Sequence, residues 1–252
     1  MQGNHHSHTG LLQVRFVGRN LTYTQGMQCM QQAIAQVQQA MQLQPKQQQG
    51  TQGQLLLLQY KPVITYTRSG GKKHLLLSDS RLAQAQVDLI QTDRGGDVTF
   101  HGPGQLVGYP IVPIAHHHHF VAIGRYLHAL QQALLAACSS MGVPHCTLMK
   151  GKTGVWVCTP SKQPAKLVAV GVGVNAHGIS RHGFALNVCA DLQQIKQCIV
   201  PCGLADTSLA NLHEQLQQAR QRLPSWRELC ETVANSIGQQ LQLQVRWRDD
   251  LF

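Results

Sequence analysis

The sequence predicts an α+β or mixed α/β protein. Apolar residues recur three and four apart in three long stretches, the spacing of a helix face, and alternate with period two in several short ones, the spacing of a strand. The two kinds of segment are interspersed without a regular βαβ repeat. The chain has 252 residues, 43% of them hydrophobic, enough for one large core without disulfide staples.

The elements follow in order. Residues 1–10, rich in His, Gly and polar side chains, read as a disordered leader, and residues 11–252 as a single domain. Thr24 opens a helical pattern, with Met27, Met30, Ile34, Val37 and Met41 on one face. Residues 42–54, rich in Gln and Gly, read as a loop insertion. Residues 55–60 and 63–67 read as two strands split by Pro62. Ile123, Leu127, Leu130, Leu134, Ala137 and Met141 mark a second helix, with Phe120 at its start and Gly142 and Pro144 at its end. The preceding run His116–His119 reads as solvated loop. Strands are predicted at 154–158, 167–174 and 184–188. In the second, Val168, Val170, Val172 and Val174 share one face, while Leu167, Ala169, Gly171 and Gly173 lie on the other. A strand face with so little side chain marks close approach of a ligand or another backbone. Ser225 and Glu228 have capping-box spacing before a helix carrying Trp226, Leu229, Val233, Ile237 and Leu241. Leu243, Val245 and Trp247 then alternate as a closing strand.

Charge narrows the function classes. Lys and Arg number 21 against 11 Asp and Glu, for a formal net charge of +10, which attracts polyanions. There is no arginine-rich arm and no zinc-finger spacing, and aromatic residues make up only 5%, which disfavours a base-stacking nucleic-acid surface. An acidic protein partner is the remaining option. No apolar run reaches the ~18 residues of a membrane span. The eight cysteines are too loosely spaced for a disulfide scaffold and read as free thiols. Cys198 and Cys202 lack a second pair to complete a zinc site.

Three glycine-dense blocks stand outside the packing pattern. The first, RGGDVTFHGPGQ (94–105), gathers an Arg, an Asp and a His among glycines, and such a loop brings backbone N–H groups to a bound carbonyl or phosphate. It lacks the Lys-Ser/Thr end of a P-loop and the spacing of a dinucleotide fold. In the second, Lys166 opens an apolar strand, where partial desolvation would favour its neutral form. In the third, Pro and Gly frame Cys202 at a turn that presents a thiol, whereas the other seven cysteines read as small buried hydrophobes.

Five runs together are similar to the lipoyl(octanoyl) transferase family: RGGDVTFHGPGQLVGYPI (94–111), TGVWV (153–157), KLVAVGV (166–172), HGFALNV (182–188) and IVPCGL (199–204). The resemblance is strong over 94–211 and fades after about 240. It implies an α+β catalytic fold like that of biotin and lipoate ligases, with mixed β-sheets flanked by helices. It also implies transfer of octanoyl from acyl carrier protein to lipoyl domains of 2-oxoacid dehydrogenases and the glycine cleavage H protein. Matched residue by residue, it makes Cys202 the thioester nucleophile and Lys166 the group that lowers its pKa. It assigns substrate contacts to Arg94, Gly95, Gly96, Asp97, Val98, Thr99, Phe100 and His101, to Ala169, Val170 and Gly171, and to Gly183, Phe184 and Ala185. Ala165 stands where many members carry a second basic residue.

No cofactor, metal, nucleic acid or membrane enters this reading, because a thioester is already activated. If the strand at 167–174 is regular, Lys166 lies on its valine face and those valines wall the acyl chain. An ATP-dependent lipoate or biotin ligase of the same fold is the alternative, and a basic RNA-binding module is a third. The Gln-rich insertion and His runs tilt the compartment toward a mitochondrion; bacterial relatives would be cytoplasmic.

Overall fold

A computed structural model describes residues 10–43, 51–68, 70, 72–114, 121–158, 163–200 and 208–248. In chain order the elements are β1 (Gly10–Leu21), α1 (Tyr23–Leu43), β2 (Thr51–Tyr60), β3 (Val63–Thr67), α2 (Asp79–Gln84), β4 (Asp88–Thr92), β5 (Thr99–His101), β6 (Gln105–Ile111) and α3 (Val121–Ser140). Then come β7 (Cys146–Thr147), β8 (Val155–Cys158), β9 (Pro164–Val174), β10 (Ser180–Asn187), α4 (Leu192–Cys198), β11 (Ser208–Leu209), α5 (Leu212–Gln218), α6 (Trp226–Leu241) and β12 (Leu243–Trp247).

The large mixed sheet runs β12-β1-β2-β6-β10-β9-β8-β7, with β11 beside β9, and the small sheet runs β4-β3-β5. Mixed sheets flanked by helices are the architecture that the family resemblance implies. Helices α3 and α6 cover one face of the large sheet. Leu130, Leu134 and Ala137 of α3 and Leu229, Val233 and Ile237 of α6 pack on Leu12, Val14, Leu55, Leu57 and Val168. Helix α1 covers the other face, setting Met30, Ala33 and Val37 against Leu56, Leu58, Tyr60 and Tyr109. A third cluster joins Ile64 and Phe100 of the small sheet to Leu82 of α2 and Ile195 of α4. No helix of the described residues is long and apolar enough to cross a membrane.

Several expectations are corrected. Strand β1 begins at Gly10, the last residue assigned to the leader; residues 1–9 lie outside the described residues, as does His116–His119. Helix α1 extends to Leu43 and β2 starts at Thr51, so both ends of the segment 42–54 belong to regular structure and only 44–50 fall outside the description. Thr51–Gln54 pair with Gly10–Gln13, and Gln54 donates to Gln36 of α1 at 2.7 Å. Sheet pairing there overrides the weak strand preference of polar residues. Met41 is 43% exposed and Ala33 takes its place in the buried stripe. The stretch 94–105 contains β5, which pairs antiparallel with β3. Cys158 and Cys189 are exposed rather than buried.

Helix α6 begins with the full capping box. Ser225 accepts from the Glu228 backbone and the Glu228 carboxylate accepts from the Ser225 N–H. Ser225→Ala should therefore cost about 1 kcal/mol, read as a lower denaturation midpoint at unchanged m-value.

Candidate active site

The second half of the large sheet makes the floor of a cavity of about 310 Å³. Antiparallel register sets Gly183 of β10 opposite Gly171 of β9, and Ala185 opposite Ala169. Beyond β10, Val107 of β6 pairs with Ala185, and Val107 and Tyr109 complete the floor. The roof is the loop 93–97 joining β4 to β5, and every residue of it is tied down. Asp93 bonds His182 Nε2 at 2.8 Å and contacts the Arg181 guanidinium. Arg94 donates to the Thr65 hydroxyl and carbonyl of β3. The Gly95 N–H donates to the Val172 carbonyl at 3.0 Å. The Gly96 carbonyl accepts from the Thr67 hydroxyl at 2.9 Å. Asp97 pairs with His74.

This roof explains the side-chain-poor face of β9. A Cβ on Gly171 would sit 2.7 Å from the Gly95 carbonyl oxygen, and one on Gly95 would sit 2.9 Å from the Val172 oxygen. The close approach expected there is made by the backbone of the first glycine block.

Lys166 is 4% exposed and lines the cavity. Its ammonium lies 4.6 Å from the centroid of the Trp156 ring, and Lys152 approaches the same ring at 5.3 Å. An indole face attracts a cation by about 2 kcal/mol when the pair is desolvated. The position of Lys166 corrects the alternation argument. Val155 of β8 pairs with Val168 and Trp156 with Lys166, so β9 carries one extra residue at Leu167. Leu167 and Val168 both enter the core beneath α3 and α6. A bulge of this kind shifts the parity of one strand. Lys166 therefore shares the face of Ala169 and Gly171, and Val168, Val170 and Val172 belong to the core, Val170 alone of the three also bordering the cavity.

Of the residues assigned from the sequence, the cavity brings together Arg94, Gly95, Gly96, Asp97, Val98, Thr99 and His101 with Lys166, Ala169, Val170, Gly171, Gly183, Phe184 and Ala185. Phe100 is not among its walls. Alternation along β5 turns it into the third core cluster and toward a smaller cavity of about 40 Å³ shared with Gln105 and Asn187. Cys202 lies outside the described residues.

Sequence reading missed Tyr23, Tyr109 and His182. The Tyr60 and Tyr109 hydroxyls bond at 2.8 Å, and burial pushes both phenols well above their ordinary pKa. His182 has a left-handed φ of +58°, sparsely populated for a side-chain-bearing residue, and its ring meets Tyr109 edge-on. Burial lowers the His182 pKa against the opposing pull of Asp93. Burial acts to raise the Asp93 pKa, but the His182 hydrogen bond and the Arg181 charge outweigh it and hold the carboxyl low. The HGFALNV run contained His182; the missing signal was its carboxylate partner, distant in sequence.

The mixed sheet and its helices have the fold of lipoate ligase-like catalytic domains. Residues 30–238 match the lipoyl protein ligase A/B catalytic domain, and the chain belongs to that family; it is a transferase enzyme. An octanoyltransferase of Koribacter versatilis is 38% identical over 200 residues, covering 79% of this chain and 76% of the relative. One from Chloroflexus aurantiacus is 39% identical over 192 residues, covering 76% and 81%. A bipartite lipoate protein ligase from Thermoplasma acidophilum shares the fold with a TM-score of 0.67 at 13% identity, over 96% of this chain and 86% of that one. Lipoate-protein ligase A bound with ATP gives 0.64 at 12%, over 96% and 88%.

Two predictions follow from the geometry. Gly171→Ala forces the roof backbone to move, so it should destabilise by about 1–3 kcal/mol and lower activity. Gly173→Ala is the control: its Cβ would meet only the flexible Arg181 side chain, at 3.0 Å, and thermal melts and turnover of the pair should separate them. His101, whose pKa burial lowers to about 3, stays neutral in the fold while its unfolded counterpart takes a proton near pH 6.5. Its contribution to stability is therefore intact above about pH 6.5 and falls as pH drops toward 3, at up to about 1.4 kcal/mol per unit. Urea titrations from pH 7 to 4 should show a shallower decline in His101→Gln.

Proposed function

We propose that this chain is a single-domain octanoyltransferase of protein lipoylation. It takes octanoyl from acyl carrier protein and delivers it to a lysine of lipoyl domains, through a thioester on Cys202. The observation that supports this best is the buried Lys166 facing a roofed cavity. Val200 N–H bonds the His74 carbonyl, and Leu209 of β11 is the register partner of Lys166.

A free thiol with pKa near 8.5 is only a few per cent thiolate at neutral pH. An ammonium within hydrogen-bond reach lowers that pKa by about 1–3 units. The Cys202 thiolate attacks the octanoyl carbonyl. A new S–C bond forms, the bond to the carrier's sulfur breaks, and the carrier leaves as a thiolate that takes its proton from Lys166, which is left as the neutral amine. The lysine amine of the acceptor then attacks the enzyme thioester. The amide forms, the Cys202 thiolate returns, and the amine's proton passes to Lys166. Burying about six methylenes and a methyl contributes on the order of 5 kcal/mol to holding the acyl group. A net charge of +10 steers acidic carrier and lipoyl domains toward the enzyme. The quoted relatives are bacterial, which gives no support to a mitochondrial placement, and the cytoplasm is the compartment we propose.

Intact-mass analysis after mixing with octanoyl carrier protein, without ATP, should show an octanoyl adduct mapping to Cys202. Cys202→Ser should give no thioester adduct, and normal turnover by that variant would sink the proposal. Lys166→Ala should shift the alkylation–pH profile of the thiol upward; an unchanged profile removes Lys166 from this role. A strict ATP requirement would favour the ligase reading.

A further inference from the structure

A buried chain of side-chain hydrogen bonds runs from the cavity to the strand that follows the Cys202 segment, and its two ends fix the direction of every bond in it. At one end Asn187 Nδ2 lies 3.1 Å from the Ala210 carbonyl. A backbone carbonyl only accepts, so the Asn187 atom there is the amide nitrogen, and Oδ1 is turned the other way. Gln105 Nε2 lies 2.9 Å from Asn187 Oδ1 and 3.2 Å from the Phe100 carbonyl. Two acceptors face that atom, so it is the nitrogen, and both its protons are committed. Gln105 Oε1 is then an acceptor, and it faces His101 Nδ1 at 3.3 Å. The proton of that bond can come only from the ring, so His101 carries its hydrogen on Nδ1. Nε2 is left with a lone pair, and among the described residues it makes no hydrogen bond. His101 is 7% exposed and lines the cavity.

We propose that His101 is locked as the Nδ1–H tautomer by Gln105 and Asn187, and that its Nε2 lone pair accepts an N–H of the incoming lysine amine. This rests on the aminolysis step proposed above. Of the two substrates, the acyl group brings no donor of its own, whereas the amine must arrive with N–H groups to spare and one lone pair to aim. Holding one N–H fixes the direction of that lone pair, the orientation term that intramolecular reactions exploit. Burial keeps His101 neutral, so it holds the amine without competing for the proton. Gln105 and Asn187 act through His101 and are positioning residues. The same network carries Asn187 to Ala210, whose N–H bonds the Lys166 carbonyl at 3.0 Å. The base and the acceptor of the amine thus hang on one hydrogen-bonded frame.

The direct test is ¹⁵N-histidine labelling of the full-length protein without substrate, with two-bond proton–nitrogen correlations and His101→Gln to identify the signal. The expected result is a protonated Nδ1 and a bare Nε2 at pH 7; an Nε2–H tautomer overturns the proposal. Asn187→Leu, assigned the same way, should release the lock and give a mixture of tautomers, and an unchanged single tautomer would remove Asn187 from the frame. The kinetic test separates the two half-reactions by mass spectrometry. His101→Phe should form octanoyl-enzyme within about threefold of the wild-type rate but pass it to a lipoyl domain at least tenfold more slowly. Equal slowing of both halves, or of neither, overturns the role. A wild-type protein that forms no octanoyl-enzyme would defeat the function proposed above, whereas the tautomer measurement stands or falls alone.

Discussion

Backbone lies against backbone where the loop 93–97 crosses β9, and the site depends on that contact. One N–H···O bond from Gly95 to Val172 contributes only about 1 kcal/mol. The steric condition behind it is stricter, because neither Gly95 nor Gly171 has room for a Cβ. With the loop seated there, its remaining ties to β3, β10 and His74 close a roof over the floor of β9, β10 and β6. Glycine at 171 and alanine at 169 are what a strand must carry to pass beneath a peptide chain and still leave an open cavity beside it. The acyl-sized space follows from that clearance.

Much of this was legible in the sequence, for a physical reason. Helices α3 and α6 bury one broad stripe each, so their periodicity survives without tertiary information, and the capping box of α6 is a local event among Ser225, Glu228 and their own backbone. The glycine blocks announced themselves because glycine so concentrated has no role in ordinary packing. What could not be read is relational. Strand β1 alternates Leu12, Val14 and Phe16 inward, yet the sequence reading assigned residues 11–21 no element, because the strand is defined by its pairing with β2 and β12. The bulge at Leu167 is a mismatch between two strands and leaves no mark on either alone, which is why strict alternation put Lys166 on the wrong face. Tyr109 and His182 were hidden for a similar cause. Each sits in a strand whose apolar run reads as core, and its partner, Tyr60 or Asp93, is far away in sequence.

The electrostatics of the cavity explain why its polar residues do not interfere with one another. Lys166 is 4% exposed in the cavity wall, with its Nζ 4.6 Å from the centroid of the Trp156 ring. Around it, burial favours the uncharged forms of four groups: Tyr60 and Tyr109 remain phenols because ionising them would strand an anion away from water, and His101 and His182 remain imidazoles because protonating them would strand a cation. A negative charge developing in such a space would meet the basic side chains of Lys166, Lys152 and Arg94 and the carboxyl of Asp97 along with neutral dipoles, and charge–charge interaction is stronger there than in water. Proton traffic is constrained by the same arrangement. A neutral imidazole with a strongly lowered pKa accepts a hydrogen bond but does not keep a proton, which under the proposed mechanism leaves the lysine to take the one the amine gives up. Burial thus divides the wall before any substrate arrives: the neutral aromatic and imidazole groups can set direction, and the basic side chains meet charge.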